Sequence, residues 1–134
     1  MVSSALIGIM VLAFLGSFST CFQNIQLDRE NSRAAQILLE KTELVRLYNW
    51  DQIVGNDTNT VVPTTFTMPF YPDTNNGGFL YSGTVTITNA PVSEAYSNDM
   101  RYITISLAWT SGKVRRTRIM SSYVSKYGLQ NYIY

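Results

Sequence analysis

The sequence predicts an α+β chain: one long N-terminal helix, apolar in its first half and amphipathic in its second, packed on an antiparallel sheet of three or four strands. Three observations predict it. No charged residue occurs from Met1 to Leu27. Neither Gly nor Pro interrupts the chain from Ser17 to Val54. Residues 79–88 and 101–110 then alternate at period two, and Lys113 to Met120 returns after a Ser111-Gly112 turn.

The apolar core of the first stretch runs from Ala5 to Phe22. As a helix at about 1.5 Å per residue it is roughly 27 Å long, close to the ~30 Å hydrocarbon thickness of a bilayer. It therefore reads as a membrane segment. Ala13, Gly16, Ser17 and Thr20 recur at spacings of three and four, and Ser4 and Gly8 form another such pair. In lipid, small residues let helices approach closely, so these six are the candidate helix-packing positions. Ser17-Phe18-Ser19 also offers a small-x-small cleavage site, which would release a secreted domain, but no Lys or Arg precedes the run. Cys21 is the single cysteine; Phe18-Ser19-Thr20 before it fits a lipid-attachment consensus poorly, and it reads as a small packing residue.

Arg29 to Trp50 is built from strong helix formers. Ala34, Ile37, Leu38, Val45 and Tyr48 share one face, with Leu44 alongside, while Arg29, Arg33, Glu40, Glu43 and Arg46 populate the others. The helical region is expected to run as one near-continuous rod of roughly 50 residues, about 75 Å at that rise. The domain reading is 1–27 as a transmembrane or assembly half-helix, 28–54 as an amphipathic half-helix, and 55–134 as a β domain with an aromatic tail.

Gly55 to Asn59 ends the helix with turn chemistry, and Asn56-Asp57-Thr58 matches a glycosylation acceptor. Pro63, Pro69 and Pro72 punctuate a stretch expected to be an irregular crossing that pins Phe66, Phe70 and Tyr71. Asp73 to Gly78 reads as a turn; its oxygen-rich look suggests a calcium loop, but the downstream Glu is missing. Phe79 to Thr88 is a strand, Asn89 to Asp99 a polar loop, and Arg101 to Thr110 a strand with Ile103, Ile105, Leu107 and Trp109 on one face. Lys113 to Met120 returns as the next strand, with Arg115, Arg116 and Arg118 expected to keep it largely in water. The tail carries Tyr123, Tyr127, Tyr132 and Tyr134, read as packing or a contact surface.

Charge and residue usage limit the chemistry. The formal net charge is +1, but Asp28 to Asp99 holds nine acidic and four basic residues, whereas Met100 onward holds six basic and none acidic. Arg115, Arg116, Arg118 and Lys126 are the candidate polyanion contacts, although nucleic acid is not the expected partner. Histidine is absent, which excludes Ser-His-Asp and Cys-His nucleophile systems and His/Cys zinc sites. Gly77-Gly78 lacks the lysine and helix of a phosphate loop. Glu40 and Glu43 lie on the polar side of the helix, and Asp51, Asp57, Asp73, Glu94 and Asp99 lie in or beside loops, so a carboxylate hydrolase is a weak reading. No enzyme, catalytic residue, metal or cofactor is expected.

Three stretches carry a family resemblance. Met1 to Met10 resembles the apolar run that follows a prepilin processing site. Ala34-Ala35-Gln36-Ile37-Leu38-Leu39-Glu40-Lys41-Thr42-Glu43-Leu44 resembles the Ala-rich, Lys-Glu-containing part of that family's amphipathic half-helix. Ile103 to Trp109, with the Gly112 turn and basic return strand, resembles its C-terminal hairpin. The chain is thus similar to type IV pilin-like proteins, most of all to minor pseudopilins (the I-type) of type II secretion and related minor pilins. Members carry a basic leader, a glycine at the cleavage point, an aromatic after it and then a glutamate; none stands in this sequence, and Met1 falls where the run after that glutamate resumes. The expectation is a late-assigned or leaderless start, or an unprocessed chain, in which no residue inherits the glutamate's docking role. The resemblance implies a structural subunit of a type II secretion or type IV pilus-like assembly. It would be single-pass in the inner membrane with its C-terminal domain on the periplasmic side. Its partners would be membrane lipid, other pilin-like subunits and the assembly platform. The alternative is a membrane-anchored or secreted extracytoplasmic binding module.

Overall fold

The computed structural model describes residues 2–55, 62–72 and 78–128, and side chains from Leu6 onward in the first of these. It shows a 46-residue helix, α1 (Val2–Leu47), and a short second helix, α2 (Trp50–Val54). Four strands follow: β1 (Thr65–Pro69), β2 (Leu80–Asn89), β3 (Met100–Ser111) and β4 (Val114–Ser125). The strands form one antiparallel sheet in the order β1-β2-β3-β4. The chain divides into two units, Met1–Ser32 and Arg33–Tyr134. In the first, every described residue is helical.

The second unit has the α+β arrangement that the sequence predicts. Ala34, Ile37, Leu38 and Val45 of the helix are buried against Tyr81, Val85, Ile103, Ile105, Leu107, Trp109 and Val124 of the sheet. Tyr48 packs at the margin of this core, whereas Leu44 is 43% exposed. Thr42, which a polarity pattern would place outside, is also buried; its hydroxyl donates to the Leu38 carbonyl at 2.8 Å and lies 3.3 Å from Met120 Sδ. That internal bond lets a polar side chain enter an apolar contact.

Three boundaries differ from the sequence reading. The helical region is not one rod to Val54. It stops after Leu47 and restarts at Trp50, because Asn49 adopts an extended conformation and forms a capping box. Its Oδ1 accepts from the Gln52 amide at 2.9 Å, and its amide donates to Gln52 Oε1 at 3.0 Å. Gly55, at φ 82°, closes α2 in the left-handed region. Replacing Asn49 with alanine is expected to cost about 1 kcal/mol locally. The measurement is amide hydrogen exchange at Gln52 and Ile53, which should speed up about 5-fold while the sheet amides stay unchanged.

The second difference is β1, a regular strand inside the proline-punctuated stretch. Pro69 is tolerated because it ends an edge strand, where a missing N–H costs least. Phe66 and Met68 point to the core side, opposite Gly83 and Tyr81. Beyond it, Phe70, Phe79, Tyr81 and Trp109 form a train of ring contacts at 5.0, 5.2 and 5.3 Å, so these aromatics are held as expected, though Tyr71 is 43% exposed. The third difference is the β3–β4 hairpin. Its turn is Gly112-Lys113, with Ser111 opposite Val114 and Gly112 at φ 61°, and β4 continues five residues past Met120. Ala95–Asp99 forms a single 3₁₀ turn within the polar loop. The glycosylation and calcium readings at 56–58 and 73–77 lie outside the described residues, as do Tyr132 and Tyr134.

Candidate functional site

The apolar half-helix is the candidate site. Its large side chains are exposed all round, from 48% at Phe18 to 71% at Leu12. A helix apolar on every side calls for lipid or for other apolar helices. It is long and apolar enough to cross a membrane. Charge begins only at Asp28.

The candidate packing residues occupy two sides of this helix. At about 100° per residue, Ala13, Gly16, Ser17 and Thr20 fall within one arc of roughly 100°. Ser4 and Gly8 fall on another side by the same geometry, about 150° round from the centre of that arc. Nothing stands within 4 Å of the space above Gly8 or Gly16. Ser17 donates to the Ala13 carbonyl at 2.9 Å, and Thr20 to the Ser17 carbonyl at 2.9 Å. Both hydroxyls are thus satisfied within the helix, so the arc presents small, apolar-compatible contours without an unpaired donor. Phe14 and Phe18, in edge-to-face contact at 4.6 Å, border it and, with Ser17 and Cys21, line a groove of about 190 Å³.

Just past this run, Glu30 is 1% exposed and accepts from Gln26 Nε2 at 3.1 Å. Sequence reasoning missed it, because a carboxylate in a charged helical segment reads as solvated. Glu40 and Glu43 are exposed and pair with Lys41 at 3.5 Å and Arg46 at 3.0 Å.

The four candidate polyanion contacts do not form one patch. Residues directly opposite in an antiparallel pair share a face. Arg116 is opposite Trp109 and Arg118 opposite Leu107, so both lie on the helix-facing side of edge strand β4, beyond the core. Arg115 is opposite Thr110, on the outer face. Inward-facing charge at an edge discourages further strand pairing. Lys126 is at the other end of β4, 4.0 Å from Asp99 and over the Tyr127 ring at 5.7 Å. Arg101, another of the C-terminal cations, stacks on Trp50 at 5.1 Å and donates to the Asn98 and Met100 carbonyls, both at 3.0 Å. The signal for this split was in the sequence: counting the alternation through a two-residue turn assigns the arginines to opposite faces.

Among the described residues, no three or more His, Cys, Asp or Glu come together as a metal site. Asp51 and Glu94 are exposed and Asp99 is half-buried; Asp51 lies on α2, Glu94 and Asp99 stand at the two ends of the 3₁₀ turn, and Asp57 and Asp73 lie outside the described residues. The arrangement of long N-terminal helix on a four-stranded antiparallel sheet is compatible with a pilin-like fold. No family model, curated protein or solved structure matches the chain.

Proposed function

We propose that this chain is a membrane-inserted structural subunit of the pilin-like kind, closest to a minor pilin or pseudopilin, serving a type II secretion or type IV pilus-like assembly. One observation carries the reading: a single helix changes character along its length. Its first part exposes large apolar side chains all round, and the stretch Ala34–Val45 supplies one wall of the β domain's core. A soluble domain seldom exposes so long an apolar helix. A subunit that waits in lipid and then exchanges lipid for neighbouring helices uses both.

In this mechanism the driving force is packing, because lipid and apolar helices are equally greasy. The Ala13–Thr20 arc lets backbones approach; the β domain stays folded on the second stretch throughout, on the outer side of the inner membrane. The partners are lipid, other subunits of this kind and the platform that inserts them.

The test is Gly16→Leu. The added side chain stands where a neighbouring backbone would pack, and overpacking costs about 1–3 kcal/mol. That is roughly a 30-fold weaker association at the middle of the range. Cross-linking of the membrane-bound chain should fall accordingly while the β domain's melting is unchanged. Unchanged cross-linking would mean that the arc faces lipid. N-terminal sequencing of cell-derived protein is the second measurement: a terminus at Ser19 or Thr20 would make the chain a released module and end the subunit reading. An in-frame Gly-aromatic-x-x-x-Glu encoded just upstream of Met1 would support it.

A further inference from the structure

The outer face of the sheet, which neither helix packing nor the core uses, has an unusual composition. Cross-strand rows of hydroxyls span it: Thr65, Thr84 and Ser106 stand side by side in one row, and Thr86, Thr104 and Ser121 in another. Such rows are about 4.8 Å apart from strand to strand, and successive same-face residues are about 6.6 Å apart along a strand. Among the described strand residues, the single charged side chain on this face is Arg115.

Arg115 borders a depression of about 390 Å³. Ala108, the smallest side chain of the central strands on this face, forms its floor. Ser82, Thr110, Leu80 and Arg115 surround it, and Phe79 and Trp109 complete the lining. Leu80 is 56% exposed, giving one apolar wall. The three ion pairs among the described residues involve other cations, so no carboxylate among those residues pairs with the Arg115 guanidinium.

We propose that this depression binds an acidic saccharide, with its carboxylate on Arg115 and its hydroxyls on Ser82 and Thr110. A planar guanidinium takes a carboxylate through two parallel hydrogen bonds. The two hydroxyls both donate and accept, as sugar hydroxyls do. Leu80 covers the apolar face of a ring. The hydroxyl rows extend the surface for further sugar units that carry no charge. The distribution of cations favours this class over a phosphate-rich polymer. A polymer with a charge on every unit would need several cations facing one way, and Arg116 and Arg118 face the other side of the sheet. It also favours a saccharide over an acidic peptide, which offers few hydroxyls to match the rows.

The experiment uses the full chain in detergent micelles, titrated with an aldouronic acid that carries a single glucuronate on a short neutral xylo-oligosaccharide, and followed by amide resonances. Ser82, Ala108 and Thr110 should shift together and saturably. Arg115→Gln should weaken binding at least 10-fold, and Ala108→Leu, which fills the depression, should abolish it with melting unchanged. Arg118→Gln, on the opposite face of the same strand, should leave it unaltered. The neutral methyl ester of the same oligomer should bind at least 10-fold more weakly. The proposal is overturned if the oligomer shifts nothing, if Arg118→Gln weakens binding as much as Arg115→Gln, or if a short DNA duplex binds more tightly with all three arginines contributing equally. None of these outcomes depends on whether the apolar helix assembles, so the membrane-subunit reading stands or falls separately.

Discussion

Ile105→Asp is expected to unfold the Arg33–Tyr134 unit while leaving the apolar helix bound to membranes. Ile105 is 1% exposed at the middle of β3, opposite Val85 on β2 and Met120 on β4, and it belongs to the core that Ile37 and Leu38 close from the helix side. An aspartate there has no cation within that cluster and no route to water. Leaving a buried charge without a partner costs about 3–5 kcal/mol, on top of the lost burial of an isoleucine, about 1.5–3 kcal/mol. A domain of this size has only about 5–15 kcal/mol in total. The sum, about 4.5–8 kcal/mol, matches the lower half of that range. The measurements are the near-ultraviolet signal of the buried Trp109, which should vanish with its melting transition, and carbonate-resistant membrane association, which should persist because the Leu6–Ile25 run is untouched. Thr86→Asp is the control. It adds the same charge to an exposed position on the outer face and should cost about 1 kcal/mol or less through β propensity alone. A retained cooperative melt in Ile105→Asp would mean that the core is not closed as described.

That core was the most legible part of the fold. Ile103, Ile105, Leu107 and Trp109 alternate without exception, and only a half-buried strand imposes that pattern. Ala34, Ile37, Leu38 and Val45 were legible for the corresponding helical reason, and all four are buried. What escaped the sequence depended on partners rather than on period. The break at Asn49 arises from a side chain competing with the helix for backbone hydrogen bonds, and it leaves no Gly or Pro as a marker. β1 is only five residues long and ends in a proline, so its Thr-Phe-Thr-Met alternation is too short to stand out from the loop around it. The burial of Glu30 and Thr42 runs against residue polarity altogether. The candidate site was legible in its chemistry, since an uncharged run of apolar residues states its own requirement. Its two-sided arrangement of small residues needed the helix phase, and the arginines needed the hairpin register. The depression over Ala108 is a property of four neighbouring side chains on three strand segments and has no linear signature.

Gly83 shows the same dependence on a partner, and replacing it should have the second-largest effect. It lies in the middle of β2, buried, opposite Phe66 on β1 and Leu107 on β3. Its backbone is not in the left-handed region, so glycine is not required there for its conformation. It is required for space: a Cβ at this position would stand inside the Phe66 ring. The ring lies across the glycine and carries the Lys41 ammonium 5.4 Å from its centre. Gly83→Val should therefore expel Phe66, and with it β1, whose five residues have little else than Phe66 and Met68 to hold them to the core. Overpacking costs about 1–3 kcal/mol and loss of a phenylalanine's packing about 3–5 kcal/mol; with partial relaxation of an edge strand, a net loss of about 3 kcal/mol is expected. Phe66→Ala alone should cost about 3 kcal/mol by emptying the same space. The informative measurement is the double substitution. Valine can occupy the room that the ring vacates, so the double variant should lose at least 1 kcal/mol less than the two single losses combined. Strict additivity in urea melts would show that the ring does not rest on Gly83, and that β1 is held by something other than this pair.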